Sequence, residues 1–130
     1  MITRRHHPIH WLTQLRRAAA LVSALRGRPR RVVVSGESMQ PTLAPGDRLV
    51  VVPTARLRLG QVVALADPRE SGRLIVKRIG ALREGQVELR GDNPAASTDS
   101  RHFGLVRRDQ VVGTVLYRYY PPERAGWLSE

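Results

Sequence analysis

Two residues of this chain have the types and settings that chemistry at a carbonyl group needs. Ser38 lies in residues 34–49 (VSGESMQPTLAPGDRL), a Gly- and Pro-rich stretch that follows the apolar run Val32, Val33, Val34. A serine hydroxyl is a weak nucleophile until a neighbouring base takes its proton. Lys77 lies in residues 74–79 (LIVKRI). Alternate residues of a strand share a face, so Ile75, Lys77 and Ile79 point one way while Leu74, Val76 and Arg78 point the other, Arg78 towards solvent. An ammonium flanked by two isoleucines is the kind of group that burial drives towards the neutral amine, which is a base.

Each residue also fits a structural role. A serine after Gly-Glu and shortly before Pro is a common turn or cap residue. A lysine in a strand commonly faces solvent or pairs with an acid. A third stretch, residues 91–106 (GDNPAASTDSRHFGLV), carries two aspartates and a histidine. Asp92 and Asp99 lack the companion His or Cys spacing of a metal site, and an aspartate paired with Arg101 to stiffen the loop is the simpler account. His102 reads as a surface loop residue, with nothing to place it beside Ser38.

The order of these pieces carries more than any one of them. SGESMQPTL with PGDRLVV, then LIVKRIGAL, then GDN followed by S-x-D-S-R-x-F-G-x-V, resembles the type I signal peptidase superfamily, and its short members that mature nickel-type superoxide dismutases in particular. The bulky insertion that large signal peptidases carry between the lysine block and the GDN block is missing. The resemblance implies Ser38 as nucleophile, Lys77 as general base and Ser97 as a hydroxyl that orients the lysine. It implies that Asp99 and Arg101 form a bracing ion pair and that Gly91, Asp92 and Asn93 form the GDN turn. Some members have a serine two residues before the nucleophile, lining the oxyanion hole. This chain has Gly36 there, which leaves the Ser38 backbone N–H as the candidate donor. Met39 and Pro41 are expected to line the substrate site.

The implied reaction is amide hydrolysis through an acyl-enzyme, with no metal and no organic cofactor. The implied partner is a precursor polypeptide with an N-terminal leader, that of a nickel superoxide dismutase. Three other readings stay open. A general signal peptidase acting on exported precursors would favour a membrane anchor. A self-cleaving LexA-like repressor would need an Ala-Gly or Cys-Gly site upstream of the serine, and the chain's Ala-Gly is at Ala125-Gly126, after the active-site blocks. A nucleic-acid-binding β-domain would bind in a salt-sensitive way, whatever stands at position 38.

At 130 residues the chain is long enough for one domain with a modest core. Without cysteine, disulfides and thiolate metal sites are excluded. The net charge of +11 favours anionic partners such as a membrane surface, nucleic acid or an acidic polypeptide. An arginine-rich proteome explains the same excess, and RGRPRR at residues 26–31 without interleaved aromatics is a weak nucleic-acid signal.

Positioning these residues takes a mainly β fold: a small, bent, coiled sheet of signal-peptidase/LexA-like type with one N-terminal helix. Residues 1–30 read as a basic tail and helix, 31–120 as the peptidase β-domain and 121–130 as an irregular C-terminal tail. His6 and His10 have i, i+4 metal-ligand spacing, but Pro8 between them argues against the helix this needs. Trp11, Leu15, Ala18, Val22 and Leu25 share a helical face. Arg16 and Arg17 break the apolar run well short of the roughly 20 residues that span a bilayer. The expected location is cytoplasmic, with peripheral membrane contact open to the amphipathic helix. Strands are expected at residues 32–34, 49–52, 61–66, 73–82, 86–90 and 111–119. The pair 73–82 and 86–90 forms a hairpin around Arg83-Glu84-Gly85. Residues 49–52 are expected to be buried on both faces and are the candidate edge for pairing with a substrate. Asp67 and Glu70 read as solvated loop carboxylates.

Overall fold

The computed structural model describes residues 28–128 except 55, 71 and 99. The expected N-terminal tail, its His6 and His10, and the helix over residues 11–25 lie outside the described residues. In chain order the elements are β1 (Arg30–Val33), β2 (Arg48–Val52), β3 (Val62–Ala66), β4 (Leu74–Arg83), β5 (Gln86–Arg90), a short helix α1 (Ser100–Phe103), β6 (Val106–Arg107), β7 (Val111–Tyr120) and β8 (Gly126–Trp127). All strand pairs are antiparallel and make one sheet in the order β1-β2-β7-β3-β4-β5-β6, with β8 also on β7.

The β-branched and apolar runs become strands as their composition demands. Val62, Val63, Ala64 and Leu65 are all buried, which a strand with both faces covered requires. Val62 and Ala64 pack in a cluster with Met39, Leu43, Leu49 and Val115. Val63 and Leu65 pack on the other side with Ile75, Ile79, Val87 and Leu89, and the partly buried Phe103 packs against them. Register shifts in the β2–β7, β3–β7 and β4–β5 pairings bend the sheet.

Three expectations change. Residues 49–52 do not form an edge: β2 is hydrogen-bonded to β1 on one side and β7 on the other, and among the described residues β1 is the outermost strand. Residues beyond Tyr120 do not simply trail away. A turn at Pro122–Arg124 leads into β8, and Trp127 packs edge-on against Tyr117 with ring centroids 5.2 Å apart. Asp67 is not solvated but buried, because the adjacent arginines Arg69 and Arg73 pair with it.

Candidate active site

The Ser38 segment is a turn whose two ends are tied to each other. Val34 N–H donates to the Asp47 carbonyl and Gly46 N–H to the Val34 carbonyl, both at 2.8 Å. Inside this closure the chain coils, with Leu43 N–H donating to the Met39 carbonyl at 2.9 Å. Met39 and Leu43 sink into the core, 2% and 0% exposed, and hold the turn down while Ser38 stays partly accessible. Gly36 has φ +80°, a left-handed conformation that costs glycine little.

A buried carboxylate braces the same segment from behind. Asp47 Oδ2 accepts from Ala44 N–H at 2.9 Å, from Arg118 Nη1 at 3.1 Å and from Arg124 Nη2 at 2.9 Å. Arg118 Nη1 also donates to the Thr42 carbonyl at 2.9 Å.

The GDN turn clamps the segment from the front. Asn93 N–H donates to the Ser38 carbonyl at 2.9 Å, Asn93 Nδ2 to the Glu37 carbonyl at 3.1 Å, and Thr42 Oγ1 to Asp92 Oδ2 at 2.6 Å. Asp92 takes two further bonds from Arg78, Nε to Oδ1 and Nη2 to Oδ2, each 2.8 Å. Arg78 therefore does not simply face solvent. The Arg78 hydrogen bonds outweigh the opposing effect of burial and hold the Asp92 carboxyl below its ordinary range, with Thr42 contributing. The same bonds raise Arg78 above its usual value. Gly91 has no room for a side chain: a Cβ there would collide with Ser97 Oγ and stand 2.7 Å from the Ser38 carbonyl oxygen.

Lys77 projects from β4, opposite Val63 of β3, and is 4% exposed. Its Nζ donates to Ser97 Oγ at 3.2 Å, and Ser97, also buried, directly follows a 3-10 turn at Pro94–Ala96. Lys77 is the single lysine among 22 Lys and Arg residues. That count was a signal open to sequence reading and not used: a guanidinium does not deprotonate in proteins, so lysine is the one basic side chain of the two that can act as a base.

Ser38 and Lys77 line one cleft of about 240 Å³, together with Gly36, Glu37 and Met39. One wall is the end of β1 (Val32, Val33) with Val34 after it, and the other the start of β4 (Leu74, Ile75, Val76). Among the described residues both walls are strand edges without a further partner: β1 pairs with β2 alone, and β5 joins β4 only from Arg78 onwards. Pro41 is exposed, follows a cis peptide bond and is not among the cleft-lining residues. Arg101 and His102 are exposed on α1, while Asp99, and with it the expected Asp99–Arg101 pair, lies outside the described residues. The Asp47 brace and the Asp92–Arg78 pair were missed in the sequence.

Residues 26–116 match the Peptidase S24-like family. The chain is 35% identical over 122 residues to the mitochondrial ATP-independent inner membrane protease subunit 1a of Arabidopsis thaliana, covering 73% of each chain. It is 31% identical over 121 residues to the mitochondrial inner membrane protease subunit 1 of Schizosaccharomyces pombe, covering 75% of this chain and 76% of that one. A segment of 37 residues is 51% identical to signal peptidase I of Bacillus caldolyticus, covering 28% and 20%. Among the described residues no helix is long and apolar enough to cross a membrane. The chain belongs to the Peptidase S24-like family, within the signal peptidase I superfamily of serine proteases.

Proposed function

We propose that this chain is a serine endopeptidase with a Ser38/Lys77 dyad that removes an N-terminal leader from a precursor polypeptide. The observation that carries the reading is that a partly accessible Ser38 and a buried Lys77 line one cleft, the lysine Nζ donating to Ser97 Oγ. Burial penalises the ammonium and favours the neutral amine. Neutral Lys77 takes the Ser38 Oγ proton as Oγ attacks the scissile carbonyl carbon. The tetrahedral intermediate collapses, the C–N bond breaks, and Lys77 gives the proton to the departing amine. Water, deprotonated by Lys77, then cleaves the acyl ester and restores Ser38. Among the described residues the Ser38 N–H has no protein acceptor, and it is the oxyanion donor in this scheme. The two strand edges suit an extended substrate, which can hydrogen-bond to either wall as an added strand.

The resemblance of residues 91–106 to the maturation proteases points to a nickel superoxide dismutase precursor as substrate. The relatives named for inner membrane proteolysis and signal peptidase activity favour a second reading, exported or membrane-bound precursors, with peripheral membrane contact. Cleavage of a nickel superoxide dismutase precursor by wild type, Ser38→Ala and Lys77→Ala, with the product N-terminus read by mass spectrometry, tests both parts. Leader removal by wild type alone is expected. Cleavage that survives in Ser38→Ala overturns the mechanism. A precursor left intact by wild type overturns that substrate and directs the same comparison to exported precursors.

A further inference from the structure

The far end of the cleft carries charges that the proposed chemistry does not use. Arg69 and Arg73 line the cleft beside Leu74 and Ile75, away from Ser38 and Lys77. Asp67, its side chain 1% exposed, sits behind them and holds both. Its Oδ1 accepts from Arg69 N–H at 2.9 Å and Arg69 Nε at 3.2 Å, its Oδ2 from Arg69 Nη2 at 3.4 Å, and Arg73 Nε lies 3.8 Å from Oδ2. Arg69 also lies over the Phe103 ring, 5.9 Å from its centroid. The guanidiniums are thus anchored at one edge while their side chains remain 46% and 51% exposed. Arg69 Nη1 and Arg73 Nη2 take no part in these contacts. Glu70, 63% exposed, bonds Arg73 Nη1 at 3.2 Å and occupies the place an incoming carboxylate would compete for.

An arginine on a surface loop is ordinarily free to swing. Two arginines fastened by one buried carboxylate at the end of a cleft present donors at a set position. Arg73 precedes Lys77 by four residues, about 13 Å along an extended chain at roughly 3.3 Å per residue. A substrate strand lying along β4 with its scissile bond at Ser38 therefore places the residue three to five positions away from that bond beside the pair. The one acidic residue lining the cleft, Glu37, directly precedes Ser38 in the chain.

We infer that Arg69 and Arg73 are specificity residues that select an acidic side chain in the substrate, three to five residues from the cleaved bond on the side bound along β4. This rests on the proposed protease reading, and its test separates the two. The probe is a labelled dodecapeptide of alanine, valine and threonine carrying Glu, Gln or Lys at one position, scanned along its length. Binding is measured by fluorescence anisotropy to Ser38→Ala protein, so no turnover is needed. The Glu peptide is expected to bind about three- to tenfold more tightly than the Gln peptide at one to three adjacent positions, and the Lys peptide more weakly still. The preference shrinks as salt rises. It falls to near unity when Arg69→Gln and Arg73→Gln are added, and Arg73→Glu, which keeps a charged side chain there, shifts it towards the Lys peptide. Equal binding of Glu and Gln peptides at every position, absence of binding by all of them, or a ratio unchanged in the arginine variants overturns the inference. Cleavage by wild type that ignores the scanned charge leaves the protease reading standing and removes only the selectivity.

Discussion

Arg78 and Asp92 meet through two parallel hydrogen bonds of 2.8 Å, and this pair joins the strand that carries Lys77 to the turn that grips Ser38. Arg78 follows Lys77 directly and points to the opposite face, where Asp92 also accepts from Thr42 of the Ser38 segment. The Ser38 segment, the lysine strand and the GDN turn are thereby locked into one unit. Preorganisation of this kind matters because misplacing a reacting group by about 1 Å can cost on the order of a hundredfold in rate.

Asp92→Asn is expected to lower stability by about 1–3 kcal/mol, since it weakens a charge-assisted, partly buried pair. The Asp92 carboxyl is held below its ordinary 3.8 in the folded state, first by the Arg78 hydrogen bonds. A depressed folded-state value adds stability that is full above the unfolded value and lost as pH falls through the folded one. Urea unfolding should therefore show the gap between wild type and Asp92→Asn wide at pH 7 and closing below about pH 4. Coincident curves at pH 7 would count against the pair as a brace.

Gly91→Ala places a methyl against Ser97 Oγ and the Ser38 carbonyl, so both must move. Because those neighbours belong to the candidate site, proteolytic rate is expected to fall by about a hundredfold or more. Stability falls by roughly 1–3 kcal/mol, as for other overpacked positions. Steady-state kinetics beside thermal unfolding separates the two effects, and an active Gly91→Ala protein would contradict the close approach.

Ser97→Ala removes the hydroxyl that accepts from Lys77 Nζ. A drop in kcat of about ten- to a hundredfold with KM little changed is expected, because in the proposed mechanism the group orients the base and does not bind substrate. Ser97→Thr keeps the hydroxyl and should recover much of the rate. A loss confined to KM would place Ser97 in substrate binding instead.

Asp47→Ala leaves Arg118, whose side chain is 14% exposed, without its carboxylate partner and removes an acceptor from Arg124 and Ala44. Breaking a buried pair by deleting one partner costs about 3–5 kcal/mol, so a large fall in Tm is expected. Asp47→Asn, which keeps an acceptor oxygen, should fall less. Calorimetry on the two variants checks the order.

Much of the fold was legible because its signals are local. Apolar runs such as residues 62–65 and 74–79 become strands with boundaries close to those their composition suggests, and Arg83-Glu84-Gly85 turns β4 into β5. The two-residue strands β6 and β8 were not legible, since they exist only through pairing with β5 and β7. Ser38 and Lys77 were singled out by residue type, setting and order, while the further signal that Lys77 is the one lysine in an arginine-rich chain went unused.

By itself the sequence determined the mainly β architecture and the alternation that buries Lys77, and it singled out Ser38 and Lys77 as the proposed nucleophile and base. The tertiary structure alone decided the partners of the charges. Asp47 and Arg118 lie 71 residues apart, and Asp92 and Arg78 lie 14 apart across a hairpin. It also decided that β2 is interior and that the cleft lies between β1 and β4. The reason is physical: strand propensity and side-chain alternation act over a few residues, whereas ion pairing depends on which backbones the bent sheet brings together, and with so many arginines no spacing rule selects one partner.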